Sequence, residues 1–321
     1  MKRTIIRLLV LSGILGIAAA GMAADKFPSK PVRLINPYAP GGANGITAQA
    51  LQRALEKELG TKILNESIAG GSTKIGTMEL MKARPDGYTA LIMSDANWII
   101  FYYSKVYDTR VWEKLTPIGN LTTEPYGYLA VRTESPFKSW ADLVKAGKDN
   151  PGKLTCGGAG AGGFSELAMR QVTKAAGVES QYVPFAGAGA AATALLGGHI
   201  DFWIGVPSEM LANIRGGKAR ALAIGAEKRM EGFPDVPTFK EMGVPFVMTM
   251  TRSIWGPPQM PPAVVNVMTK AVERAVKDPD FVKLVETQLL YKIEYRPPER
   301  MQKELVDFEK LYGPTLNEIY K

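Results

Sequence analysis

Residues 30–45 read Lys30-Pro31-Val32-Arg33-Leu34-Ile35-Asn36-Pro37-Tyr38-Ala39-Pro40-Gly41-Gly42-Ala43-Asn44-Gly45. Val32–Pro37 has the composition of a short buried strand, and the strand breaks at Pro40. Gly41 and Gly42 then turn the chain into a helix expected over Ile46–Leu59, with Ala50, Leu51, Ala54, Leu55 and Leu59 at helical spacing. Glycines lack Cβ atoms, so main-chain N–H groups there can approach a ligand closely. The positive end of the helix dipole falls at the same place. The stretch predicts a strand–turn–helix unit with an anion cradle made of main chain. Its ligand-facing candidates are Tyr38, Pro40, Gly41, Gly42, Ala43 and Asn44.

The same grammar continues outward. Lys62–Asn65 reads as a strand, Gly70–Arg84 as a glycine loop entering a helix, Pro85-Asp86-Gly87 as a turn and Tyr88–Met93 as a strand ending at Ser94. It restarts near Tyr126, with strands over Tyr128–Val131, Leu154–Gly157, Gln181–Phe185, Ile200–Ile204 and Ala219–Ile224. Helices are expected over Ser139–Lys148, Phe164–Ala176 and Ala190–Gly197, and at the end of the chain over Pro262–Lys277 and Pro298–Ile319. This alternation argues for a parallel α/β sheet. Roughly 300 mature residues make room for two such lobes. The economical division is 24–124 plus 226–321 for lobe one and 125–225 for lobe two, with crossovers near Glu124 and Ala226. Strand C-termini would then face each other across a cleft able to close by hinge motion.

Four strand-to-helix turns are glycine-rich: Pro40–Asn44, Ala69–Gly76, Gly157–Ser165 and Pro184–Gly189. One alone is a tight connection; two in each lobe support a two-sided anion clamp. The second adds the hydroxyls of Ser72 and Thr73 to the backbone donors around Gly71, which are expected to bond a ligand or its bridging water. The third contributes Gly162, Phe164 and Ser165, and the fourth Phe185 and Gly187. Tyr38, Trp98, Phe164 and Phe185 lie near the cleft, and two of them facing it would suit a planar or apolar ligand body.

Other chemistries find little to use. Gly158, Gly160 and Gly163 form a nominal GxGxxG, but the next strand ends in Tyr182-Val183-Pro184-Phe185 without the acid that a dinucleotide ribose requires. The single histidine, His199, reads as a turn residue, and no Ser/His/Asp order or zinc-ligand spacing occurs. Asp86 and Glu79 read as surface acids, and Ser72 and Lys74 are badly spaced to face each other. The expectation is no catalysis, no cofactor and no metal.

The first residues set the compartment. Lys2, Arg3 and Arg7 precede an apolar run over Leu8–Ala20, and Gly21-Met22-Ala23 supplies small residues before a cleavage site after Ala23 or Ala24. The run falls short of the ~20 residues that a membrane span needs, so residues 1–23 are expected to be a cleaved signal peptide. The single cysteine, Cys156, excludes an intramolecular disulfide although an exported protein could form one. The net charge of +8 includes the signal-peptide cations, and the remaining Lys and Arg are interspersed with acids. Nucleic-acid binding has no support in that pattern.

Read together, these motifs resemble the periplasmic solute-binding proteins of tripartite tricarboxylate transporters, the Bug-type receptors. The resemblance rests on Phe27–Arg33, Pro40-Gly41-Gly42, the Gly70–Gly76 loop, Arg84–Thr89, Val183–Gly187 and Leu195-Leu196-Gly197-Gly198-His199-Ile200-Asp201, in that order. It implies a type II periplasmic-binding-protein fold: two α/β lobes, a central ligand cleft and two crossover hinges. It also implies a monomer that delivers a small organic carboxylate, di- or aromatic carboxylates favoured, to membrane permease subunits. The carboxylate would be held by Gly41, Gly42 and Ala43 with Gly71, Ser72 and Thr73, partly through water. Ser94 and Asp201 complete the candidate ligand-binding set. The chain departs from the family pattern at Gly45, where an Asp is usual, at Gln49 for an Arg, and at Glu166 for a His. A signalling co-receptor would share these features, and a periplasmic hydrolase would need a catalytic constellation that the sequence does not offer.

Overall fold

The computed structural model describes residues 27–321, so the expected signal peptide and cleavage site lie outside the described residues. The opening stretch forms strand β1 (Val32–Asn36) and helix α1 (Ala43–Leu59), with β2 (Ile63–Ser67), α2 (Lys74–Lys82), β3 (Thr89–Met93) and α3 (Ala96–Tyr103) following. α1 begins three residues ahead of the expected start, because Gly42, not Gly45, is its cap. The long strand β4 (Thr116–Arg132) comes next, then α4 (Trp140–Asp149), β5 (Leu154–Ala159), α5 (Phe164–Ala175), β6 (Ser180–Phe185) and α6 (Ala188–Leu196). β7 (Phe202–Gly205), α7 (Pro207–Arg215), β8 (Ala219–Gly225) and β9 (Thr249–Gly256) precede the terminal helices α8 (Pro262–Ala275) and α9 (Pro279–Lys283). A π-helical turn at Leu284–Leu289, strand β10 (Lys292–Arg296) and α10 (Pro298–Ile319) finish the chain.

The sheet is mixed, which corrects the parallel expectation. β1 pairs in parallel with β2 and β3, and β5 with β6 and β7, as the strand–turn–helix units require. β9 returns from the other end of the chain and inserts antiparallel between β3 and β4. The strand path is β2-β1-β3-β9-β4-β7-β5-β6, with β10 and β8 also on β4. β4 joins the two halves: Thr116–Pro125 pairs with β9, and Tyr126–Arg132 pairs with β7 and β8. The two ladders make the two α/β lobes of a type II periplasmic-binding-protein fold, packed on a buried apolar cluster that includes Ile35, Leu51, Leu91 and Ile254 in one and Leu129, Leu167 and Phe202 in the other. A second cluster around Tyr128, Trp203, Met210 and Ile224 sits under α7 and β8.

Candidate functional site: a cavity between glycine-capped helices

Between the two ladders lies a cavity of about 250 Å³. That is small for a ligand pocket, where about 300 Å³ and upward is common, and it calls for a small occupant. Three glycine-capped helix N-termini border it, and the one of α5, at Gly163, carries an acid, Glu166, in its first turn. Gly42 caps α1 and Gly187 caps α6; neither cap supplies a side-chain hydrogen bond, and neither helix has an acid in its own first turn. Ala43 and Asn44 on one side and Ala188, Gly189 and Ala190 on the other line the cavity. The first N–H groups of a helix have no intrahelical acceptor, so these donors are available to an anion. The ends of α4 and α5 are built differently, each with an acid in the first turn. On α4, Ser139 and Asp142 form a reciprocal capping box, and at α5 the Glu166 carboxylate accepts from the N–H of Gly162 at 2.9 Å.

The walls are aromatic with polar tips. Tyr38, Phe101, Tyr126 and Phe164 line the cavity, and the rings of Tyr126 and Phe164 lie 5.1 Å apart. Asn97 Nδ2 donates to the Tyr38 hydroxyl at 2.7 Å, and the Tyr126 hydroxyl bonds Ser165 Oγ at 2.7 Å. Burial raises the pKa of both phenols, so they stay neutral hydrogen-bonding groups. Ser94 is 2 % exposed and lines the cavity, and its hydroxyl has no partner among the described residues.

The cavity wall also carries charge. Arg252 on β9 donates through Nη2 to Glu124 Oε1 at 2.5 Å and to the Tyr291 hydroxyl at 3.3 Å, and through Nη1 to Asn44 Oδ1 at 3.1 Å. Burial works against the guanidinium charge, and Glu124, Tyr291 and Glu209 together more than offset it, so Arg252 stays cationic. Burial lifts the Glu124 carboxyl to about 7 against the pull of Arg252. Glu209, from α7, faces the same cavity, and burial raises its carboxyl to about 6 while Arg252 and the N–H groups of Val206 and Ala43 pull the other way.

The model of the tripartite tricarboxylate transporter family receptor (TctC) matches residues 47–300. This chain belongs to that receptor family. A UPF0065 protein from the gbd 5′ region of Cupriavidus necator is 32% identical over 269 residues, covering 83% of this chain and 81% of the relative. BugT of Bordetella pertussis is 30% identical over 289 residues, covering 88% of each. Among solved structures, the periplasmic binding protein BugD superposes with a TM-score of 0.84 at 26% identity, over 91% of this chain and 98% of that one. MatC of Rhodopseudomonas palustris, with bound malate, gives 0.81 at 25% identity, over 92% and 100%. TctC receptors are solute-binding proteins, and among the described residues no helix is long and apolar enough to cross a membrane.

Of the sequence-chosen residues, Tyr38, Pro40, Gly42, Ala43, Asn44, Ser94, Phe164, Ser165 and Gly187 line the cavity. The others do not. Gly41, at φ 85°, is exposed and shapes the turn behind Gly42. The side chains of the second turn bond other parts of the protein. Thr73 is 2 % exposed and bonds the Tyr107 hydroxyl at 3.0 Å, inside the first lobe. Ser72, beside Gly71, reaches across to the third turn, where its Oγ donates to the Ala161 carbonyl at 3.1 Å. Gly162 is covered from the same side, its carbonyl accepting from Ser104 Oγ at 3.0 Å. These contacts tie turn to turn across the lobes at the rim. Asp201 accepts from the N–H and the hydroxyl of Thr155, each at 2.8 Å, and so fixes β5. Phe185 packs on the second apolar cluster, and Trp98 is a core residue set edge-on to Trp255 at 5.1 Å. Among the lining residues that sequence reading missed are Asn97, Phe101, Tyr126, Glu209, Met250 and Arg252.

Proposed function

We propose that this protein is a periplasmic receptor that binds a small organic carboxylate and delivers it as a monomer to the membrane permease subunits of a tripartite tricarboxylate transporter, with no chemistry on the ligand. One observation carries the reading: two glycine-capped helices, one from each lobe, aim first-turn N–H groups into one small aromatic-walled cavity, and those of α6 have no acid beside them. An anion there gains charge-assisted hydrogen bonds and two favourable dipoles. The ring-lined walls suit the ligand's apolar or aromatic body. Malate in MatC is a small carboxylate on the same fold, and the family's transport role supplies the permease partner. Exported location follows from the basic and apolar leader read in residues 1–23.

The first crossover falls at Glu124, as the sequence suggests, and this placement is supported by β4, which changes partners between Pro125 and Tyr126. The return expected at Ala226 comes later, before β9 at Thr249, because Met230, Phe233 and Val236 pack with Tyr128 and Trp203 on the second cluster. Opening would break the Ser72–Ala161 and Ser104–Gly162 bonds at the rim, and a ligand that touches both helix ends shifts the balance toward the closed form. The test is a thermal-shift screen of mono-, di- and tricarboxylates, aliphatic and aromatic, followed by co-purification with permease subunits from membranes. A binder at a concentration about 100-fold above its Kd stabilises the folded state by about 2.7 kcal/mol. A screen in which no carboxylate raises the melting temperature, while uncharged analogues do, would sink the reading.

A further inference from the structure

We propose that Glu209 makes this receptor selective for carboxylates that also carry an ammonium or another strong hydrogen-bond donor, and selective against dicarboxylates. The inference rests on the carboxylate reading above and deepens it. It starts from the charges that face the cavity. Arg252 is the cation in the wall: both terminal nitrogens bond protein acceptors, Glu124 among them, and only its Nε has no partner among the described residues. Glu209 feels Arg252 only beyond ion-pair distance. Among the described residues no Lys or Arg forms an ion pair with it. Its bond to its own helix end, from Val206 N to Oε2, is 3.5 Å long, beyond the usual range, so the carboxylate keeps acceptor capacity toward the cavity.

The two helix ends are therefore unlike. The α1 end already has an acid beside it, because Glu209 faces the Ala43 N–H. The α6 end, at Gly187 and Ala188, has none in its first turn. A ligand's carboxylate is best placed at the α6 end. The group it presents toward Glu209 must tolerate an acid. An ammonium or a donor N–H gains a charge-assisted bond there. A second carboxylate meets a like charge in a partly desolvated site, where repulsion is weakly screened. The unpartnered Ser94 hydroxyl in the same wall leaves one further contact for the ligand.

The test is calorimetric titration of matched ligand sets: an unsubstituted acid, its amino-substituted counterpart and its dicarboxylate, on short aliphatic chains and on a benzoate frame. The wild-type protein should bind the amino acid of the best set about tenfold or more tightly than the dicarboxylate. Glu209→Gln should reduce that ratio about tenfold or reverse it, and Glu209→Asp should retain the wild-type order. The readout is a ratio within one protein, so general loss of stability does not mimic it. Wild-type protein that prefers the dicarboxylate, or a ratio that Glu209→Gln leaves unchanged, would overturn the proposal. Amino alcohols matched to the amino acids separate the two readings. If they bind as well as the acids and lose affinity in Glu209→Gln, the carboxylate reading fails and the role of Glu209 stands.

Discussion

Replacing Gly42 by valine should abolish ligand binding and leave the protein folded. Gly42 caps α1 at φ −82° and ψ 164°, an extended conformation open to any residue. A Cβ built there meets only the Ala39 carbonyl oxygen, at 4.0 Å. The backbone cost of the substitution is therefore small. The branched methyls, however, project into a cavity of about 250 Å³ at the point where a ligand would contact the Ala43 and Asn44 turn. We expect affinity to fall by about 100-fold or more, equivalent to about 2.7 kcal/mol, with an unchanged circular dichroism spectrum. Gly42→Ala should cost much less. Normal binding by the valine variant would make this turn a connection only.

Arg252→Ala should destabilise the protein by about 3–5 kcal/mol, because it leaves Glu124 buried without its cation. Both side chains are almost fully enclosed, at 3% and 0% exposure, and they meet at 2.5 Å. Glu124 titrates at about 7 even with Arg252 present, raised first by burial. Removing the cation raises it further. An acid whose folded-state value is raised contributes stability that is complete below its unfolded value and is lost as pH rises through the folded one. The variant should therefore lose more stability at pH 8 than at pH 5, and adding Glu124→Gln should restore part of the loss. Urea unfolding at both pH values measures this. A loss below about 1 kcal/mol at pH 8 would show that the pair is not the buried cation's anchor.

How far the sequence foretells this arrangement depends on how local the signals are. Val32–Leu59, Leu154–Ala175 and Ser180–Leu196 were legible because each is an apolar run, a glycine break and a helical repeat in succession. β4 was read only in its last third, since Pro117, Gly119, Pro125 and Gly127 interrupt the pattern of a strand that two ladders bury. β9 was hidden by its own function: Thr249-Met250-Thr251-Arg252 looks solvated, and the partner that allows Arg252 to be buried lies 128 residues earlier. Glu209 looks like any first-turn acid of a surface helix, and its place at the cavity depends on how α7 packs on β4 and β8. The glycine turns announced themselves as anion cradles, yet the second serves as a rim contact, because a turn's composition reports its flexibility and not the direction it faces. Pairings across lobes are the part that local patterns do not encode.

The central claim is that main-chain donors at two helix ends hold a carboxylate. The direct measurement is calorimetric titration of the mature protein with the best-binding acid and with its methyl ester. The ester keeps the shape and removes the charge. The account predicts saturable one-site binding of the acid and a loss of about 100-fold or more for the ester, as befits charge-assisted bonds in a partly desolvated site. Equal affinity for acid and ester would contradict it.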